Sequence, residues 1–203
     1  MSGIDSYVKS MLHFQNRVWT FNGTAQIDTA QKKFGTASLL LDGDSDSIYS
    51  VASTDWNFAA GDFTIDFWVR STQTTAYATM VCKTPAAFGT GMWSLMTSHT
   101  NAGDIAFYAN EYSSDTPMLL TAGSLFNTGN WVHIALVRYG NDWTIYVNGA
   151  VGATRNTATT ISDLSAAVYI GQDQNYSRWF NGHIDEFRIT KGLARWTADF
   201  SGS

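Results

Sequence analysis

Apolar and polar residues alternate with a period of two along most of this chain. In Phe63-Thr64-Ile65-Asp66-Phe67-Trp68-Val69 the apolar residues at 63, 65, 67 and 69 point one way, and Thr64, Asp66 and Trp68 point the other, because successive side chains of a strand face opposite sides. The run from Trp131 to Arg138 is almost continuously apolar, which predicts a central strand with both faces covered or half-covered. It leads through Asn141-Asp142 into a strand over Trp143 to Val147, and Asn148-Gly149 supplies a two-residue turn whose positive φ angles suit those residues. The chain then returns from Ala150 to Thr154. Shorter strands are predicted at 38–41, 47–51, 77–82, 92–98, 104–109, 168–171 and 183–190, separated by clusters of Gly, Asn, Asp and Ser. No long segment sustains an apolar period of three to four. The fold class expected is all-β, a two-sheet antiparallel β-sandwich.

Two segments depart from the pattern. Residues 1–12 are weakly patterned and are read as an N-terminal arm, leaving 13–203 as a single domain. After Gly192, Leu193, Trp196 and Phe200 fall at helix-like spacing, which predicts a short turn or helix packing all three back onto the sandwich.

Composition narrows the function. Hydrophobic residues are 44% of the chain and charged residues only 14%, enough apolar material for an extensive core and unlike a disordered chain. The net charge is -5 and the twelve Lys and Arg are scattered singly, which argues against nucleic acid as a partner. No run approaches the ~18 apolar residues of a membrane span, and the first fifteen residues lack the basic start and apolar stretch of a signal peptide. Synthesis in a cytosol, with neither membrane insertion nor classical export, is the expectation. Cys82 is the single cysteine and sits in the apolar run from Ala78, so it reads as a buried thiol.

Catalysis finds little footing. A retaining glycosidase needs two carboxyl groups about 5 Å apart and an inverting one about 6.5–9.5 Å, whereas Asp62 and Asp66 on one strand face would be roughly 13 Å apart. Asp185 and Glu186 are adjacent and point to opposite faces. The histidines at 13, 99, 133 and 183 show no metal-ligand spacing, and neither Gly-x-Ser-x-Gly nor His-Glu-x-x-His occurs. His133, between apolar neighbours, reads as an ordinary strand residue. The chain is expected not to be an enzyme.

The strands also carry recognisable sequences. Lys33-Phe34-Gly35-Thr36-Ala37-Ser38 leads to Leu41-Asp42-Gly43, followed by Gly61-Asp62 and the strand from Phe63 to Val69. Then come Trp131 to Arg138, Tyr146-Val147-Asn148-Gly149, Tyr169-Ile170-Gly171, and Gly182-His183-Ile184-Asp185-Glu186-Phe187-Arg188-Ile189. In this order, over about residues 11 to 200, the series resembles a concanavalin A-like, laminin-G-like domain. The closing stretch from Ile189 to Phe200 resembles the ending of such domains in bacteriophage and prophage structural proteins. The resemblance implies a jelly roll of two packed antiparallel sheets, Ca²⁺ in many members, and binding roles toward glycans or proteins, and those roles do not follow from the fold alone. Metal-bearing members carry an Asp soon after the first strand, where this chain has Gln15.

Two regions offer candidate binding residues. Strand parity puts Asp185 with Phe187 and Ile189 on an apolar face, where a carboxylate needs backbone N–H groups, an Arg or a cation as partner. Asp42 and Asp44, in the acidic turn Asp42-Gly43-Asp44-Ser45-Asp46, join Asp185 as candidate Ca²⁺ ligands. The turn does not fit an EF-hand, with Ser47 at position six and Ser53 at position twelve. Structural readings compete at both places, a satisfied carboxylate and a polar turn. For glycans, the loop from Gln172 to Phe180 offers Asn175, Tyr176, Arg178 and Trp179, since sugars stack C–H faces on rings while amides and charges read hydroxyls. Tyr108, Tyr112 and Trp143 are further aromatic candidates.

The leading functional expectation is a non-enzymatic bacteriophage virion protein, a capsid decoration or head- or tail-attached appendage, with capsid or tail proteins as partners and the virion as its location. A homotrimer is an expectation by analogy with such particles. The alternative is a carbohydrate-binding module for host-surface glycans, and a polysaccharide hydrolase ranks below both.

Overall fold

The structure is a computed structural model that describes residues 8–11, 18–85, 91–98, 100–110, 117–123, 126–173 and 177–201, the first of these by backbone alone. Its strands are β1 (Val8–Met11), β2 (Thr20–Asn22), β3 (Gln26–Asp28), β4 (Ser38–Asp42), β5 (Ser47–Ser50), β6 (Phe63–Arg70), β7 (Thr79–Lys83) and β8 (Trp93–Thr97). They continue as β9 (Ile105–Ala109), β10 (Leu119–Leu120), β11 (Trp131–Tyr139), β12 (Asp142–Val147), β13 (Ala150–Asn156), β14 (Val168–Ile170) and β15 (Asn181–Lys191). One antiparallel sheet has the order β13-β12-β11-β6-β15-β4-β3, with β1 also pairing β15, and the other has the order β10-β9-β8-β7-β14-β5-β2.

The alternation read from the sequence decides what fills the space between the sheets. Phe63, Ile65, Phe67 and Val69 of β6 are fully buried there, as are Ile134 and Leu136 of β11 and Trp143 and Ile145 of β12. Each such side chain contributes about 1.5–3 kcal/mol relative to exposure. Phe58 stacks on Phe63 with ring centroids 4.1 Å apart, and Trp143 meets Phe63 edge-on at 5.6 Å. Cys82 is fully buried. So are Trp143 and, nearly, Tyr108, which removes both from the ligand-facing aromatics; Tyr112 lies outside the described residues.

Asn148 and Gly149 both have positive φ, at 50° and 81°, as a tight β12–β13 hairpin of matching twist requires. Three short strands, β2, β3 and β10, carry too few alternating residues to be read from the sequence. Within the segment read as an arm, Val8–Met11 pairs with β15. The segment after Gly192 is not a helix but an irregular strap. Its Trp196 and Phe200 pack with Ala194 on Ala135, Val137 and Tyr146. The helical spacing is a coincidence of two aromatic side chains reaching the same sheet face from an irregular path, and Leu193 uses its carbonyl to accept the Thr64 hydroxyl.

One irregularity in β15 determines which of its side chains reach the outer face. The register of β15 with β6 slips between Asp185 and Arg188, and Glu186 adopts a left-handed φ of 52°. This is a β-bulge, which inserts an extra residue and reverses the facing of the residues beyond it. Ile184, Phe187 and Ile189 therefore all face the core, and Asp185 is on the opposite face from Phe187 and Ile189, contrary to simple parity.

An aromatic groove on the outer sheet face

The outward side chains of β11, β6 and β15 form rows across the first sheet. The register places Trp131, Arg70 and His183 in one row, His133, Trp68 and Asp185 in the next, and Ala135, Asp66 and Arg188 in the third. Thr64 and Asp66, written in the sequence as the polar side of β6, thus share the outer face with Trp68.

In the second and third rows the charged side chains are already engaged. Arg188 donates from Nη2 to Asp66 Oδ1 at 2.7 Å and from Nε to Oδ2 at 3.0 Å, the two-pronged geometry that makes such pairs strong. His133 Nε2 is 3.7 Å from Asp66 Oδ1. Asp185 accepts from the backbone N–H groups of Lys33 (2.8 Å), Phe34 (3.0 Å) and Glu186 (2.8 Å). It is buried although it faces outward, because the loop it holds lies over it. That anchoring sets Lys33 Nζ 4.1 Å from the centre of the Trp68 ring, a cation–π contact.

The strap supplies the other wall. Trp196 and Phe200 stack with centroids 4.3 Å apart, and both meet the His133 ring edge-on, at 5.6 and 5.9 Å. The Phe200 N–H donates to the Gly149 carbonyl at 2.9 Å. A Cβ on Gly149 would stand 2.6 Å from the Ser201 nitrogen, so glycine is needed both for the turn and for the close passage of the strap. The Ser201 hydroxyl and N–H hold the Asp199 carboxyl below its ordinary pKa, and burial pushes the Tyr146 phenol up.

Between these walls are two adjoining depressions. One, of about 400 Å³, is lined by Trp68, His133, Asn148, Gly149, Trp196, Phe200 and Ser201. The other, of about 230 Å³, is lined by Phe34, Asp66, Trp68, His133, Glu186, Arg188 and Trp196. They share Trp68, His133 and Trp196 and so form one groove. Asn148 Oδ1 accepts the His133 N–H at 2.9 Å, which leaves its amide donors for a ligand. Read from sequence, His133 is an ordinary strand residue and neither Trp68 nor Trp196 stands out as a ligand contact. The signal available is three ring-bearing residues on the polar side of otherwise buried strands or in the tail.

Of the residues selected from sequence, Arg178 and Trp179 do not line the groove. Asn175 and Tyr176 lie outside the described residues. Arg178 lies with its guanidinium 4.7 Å from the Tyr77 ring centre and 3.8 Å from buried Asp173, and its carbonyl accepts the Thr79 N–H. Trp179 is half-buried and its carbonyl accepts from Gln73 Nε2 at 3.0 Å, while Phe180 is fully buried.

The three candidate metal ligands are not brought together. Asn181 pairs with Asp42 and Ile184 with Leu39, so Asp185 lies four residues along β15 from the Asp42 end, roughly 13 Å away. Asp42 accepts the Asp44 N–H at 2.8 Å and the Thr24 hydroxyl at 3.1 Å; the Asp44 N–H is the main cause holding its carboxyl below the usual range. Asp44 is exposed, and Asp46 is buried, accepting from Thr24 and from the Asp42 N–H. The Asp42 and Asp46 carboxylates accept N–H and O–H groups of the turn itself and of Thr24, as the polar-turn reading expects. Among the described residues no group of three His, Cys, Asp or Glu is placed to hold a metal. Lys83, its pKa lowered to about 8 by burial, is fully enclosed between the sheets and bonds Asn57 Oδ1, out of a ligand's reach.

A family model described as the concanavalin A-like lectin/glucanases superfamily matches residues 42–195. No curated protein matches the chain in sequence. Among solved structures, the chain is similar to domain 4 of AbnA, an extracellular arabinanase from Geobacillus stearothermophilus, in complex with arabinotriose: TM-score 0.65 and 19% identity over 87% of this chain and 82% of that one. It is also similar to the binding domain of Paraclostridial Mosquitocidal Protein 1, with TM-score 0.64 and 17% identity over 90% of this chain. A third is the binding domain of Botulinum Neurotoxin DC in complex with SialylT, with TM-score 0.63 and 17% identity over 88% of this chain. The match spans only 46% and 44% of those two toxin chains.

Proposed function

Because the chain belongs to the concanavalin A-like lectin/glucanases superfamily, we propose that it is a non-enzymatic carbohydrate-binding module whose ligand lies in the groove over Trp68, His133 and Trp196. One observation carries this reading: rings with accessible surface line a groove in which Asp66 and Arg188 are already paired with each other. Sugar C–H faces pack on such rings, and Asn148, Glu186 and Ser201 stand where hydroxyls would be read. Hydrolysis of a glycosidic bond needs two carboxyl groups free to act on it, and both oxygens of Asp66 are engaged by Arg188. The similar arabinanase domain is in complex with arabinotriose and the similar neurotoxin binding domain with SialylT, which supports the same reading here.

The expectation of a bacteriophage virion component rests in part on the resemblance of the closing stretch from Ile189 to Phe200 to the ending of such proteins. In the fold that stretch builds the groove wall, a local reason for its sequence, and the comparisons favour the glycan-binding alternative. The test is a glycan array followed by calorimetry on the purified chain. Binding to at least one saccharide, weakened about tenfold or more in Trp196→Ala, is the expected result. Absence of binding across the array, or release of reducing ends from a polysaccharide, would overturn it.

A further inference from the structure

The groove occupies the second and third outward rows of the sheet, and the first row, at its end, has a sugar-reading composition of its own. Trp131, Arg70 and His183 succeed one another across β11, β6 and β15, all half-buried and on the face that carries Trp68 and His133. Trp131 meets the His183 ring edge-on with centroids 6.3 Å apart. His183 Nε2 is 3.0 Å from Asp28 Oδ2, and Asp28 is itself fixed by the N–H groups of Ala30 (2.8 Å) and Gln31 (3.2 Å). Those N–H bonds, Ala30 first, together with His183, hold the Asp28 carboxyl below its ordinary range. Arg70 differs from Arg188, two rows along the same face: its guanidinium makes no hydrogen bond or ion pair with the described residues, so its flat fork of donors is unspent.

We propose that Trp131, Arg70, His183 and Asp28 form a second sugar subsite, continuous with the groove, so that the ligand is an extended oligosaccharide and not a single terminal sugar. The inference rests on the groove being a glycan site. One sugar packs on Trp131 with its hydroxyls on the Arg70 donors and the fixed Asp28–His183 pair. Another lies in the groove against Trp196. Trp131 is two residues along β11, roughly 7 Å, from His133, against which Trp196 packs at 5.6 Å, a spacing suited to successive units of one chain.

The probe is a set of arabino-, xylo-, manno- and gluco-oligosaccharides of one to six units, titrated calorimetrically against the full chain. Affinity for the series that binds is expected to rise about tenfold between the shortest and longest members. Trp131→Ala and, separately, Arg70→Gln are expected to flatten that rise while leaving the affinity of the shortest binding member within about twofold. Arg70→Gln keeps the test decisive if Trp131→Ala fails to fold, which thermal melting reports. Length-independent binding that still depends on Trp196, or a rise that survives both substitutions, overturns the second subsite alone. Failure of every series to bind overturns it together with the groove reading.

Discussion

The groove over Trp196 and the loop from Gln172 to Phe180 have similar compositions, aromatic rings interspersed with amides and charged groups, yet they differ in what those groups are doing. In the loop, the Trp179 carbonyl is bonded to Gln73, Arg178 lies over Tyr77 close to Asp173, and Phe180 is buried in the core. In the groove, Asp66 and Arg188 are paired with each other beneath rings that keep accessible surface. We propose the groove rather than the loop as the binding surface because its rings keep accessible area, whereas a buried group already satisfied gains nothing from a ligand.

The sharpest way to break this comparison is to remove the charge beneath the groove. Asp66→Ala leaves the half-buried Arg188 without its partner and is expected to lower unfolding free energy by about 3 kcal/mol, measured by urea denaturation; a loss under ~1 kcal/mol would mean the pair is not structural. Next in size is Asp185→Ala, which strands three backbone N–H groups and is expected to cost about 2 kcal/mol. It should also release Lys33 from Trp68, seen as a change in tryptophan fluorescence, and an unchanged spectrum would contradict that anchoring role. Trp196→Ala should reduce saccharide affinity about tenfold, close to 1.4 kcal/mol, with the sandwich intact by circular dichroism. The smallest effect is expected in the loop: Arg178→Ala should change affinity by less than about twofold. If Arg178→Ala abolished binding and Trp196→Ala did not, the loop and not the groove would be the site.

Much of the scaffold is legible in the sequence because burial between two sheets imposes a period of two. The faces of β6 and β11, the Asn148-Gly149 turn and the burial of Cys82 all arise from local pattern and turn chemistry. What local pattern misplaces depends on single residues out of register. Parity carried through Glu186 assigns Asp185 to the apolar face, and one left-handed residue at the bulge undoes that assignment. Trp196 and Phe200 do pack back onto the sandwich, but their spacing suggests a helix where an irregular strap brings both onto the outer face. His133 looks ordinary in its own strand because its meaning depends on Trp68, Trp196 and Phe200, which are remote from it in sequence.

The sequence alone determined that this chain is an antiparallel sandwich of concanavalin A-like type, since alternation, turns and ordered strand motifs are local and repeated. Only the tertiary structure assembles the groove that we propose as the ligand site. The groove draws its walls from β6, β11, β15 and the closing strap, and the register between strands, including one extra residue in β15, sets which side chains share a row. That register is fixed by packing across the whole sheet, and no short window of sequence contains it.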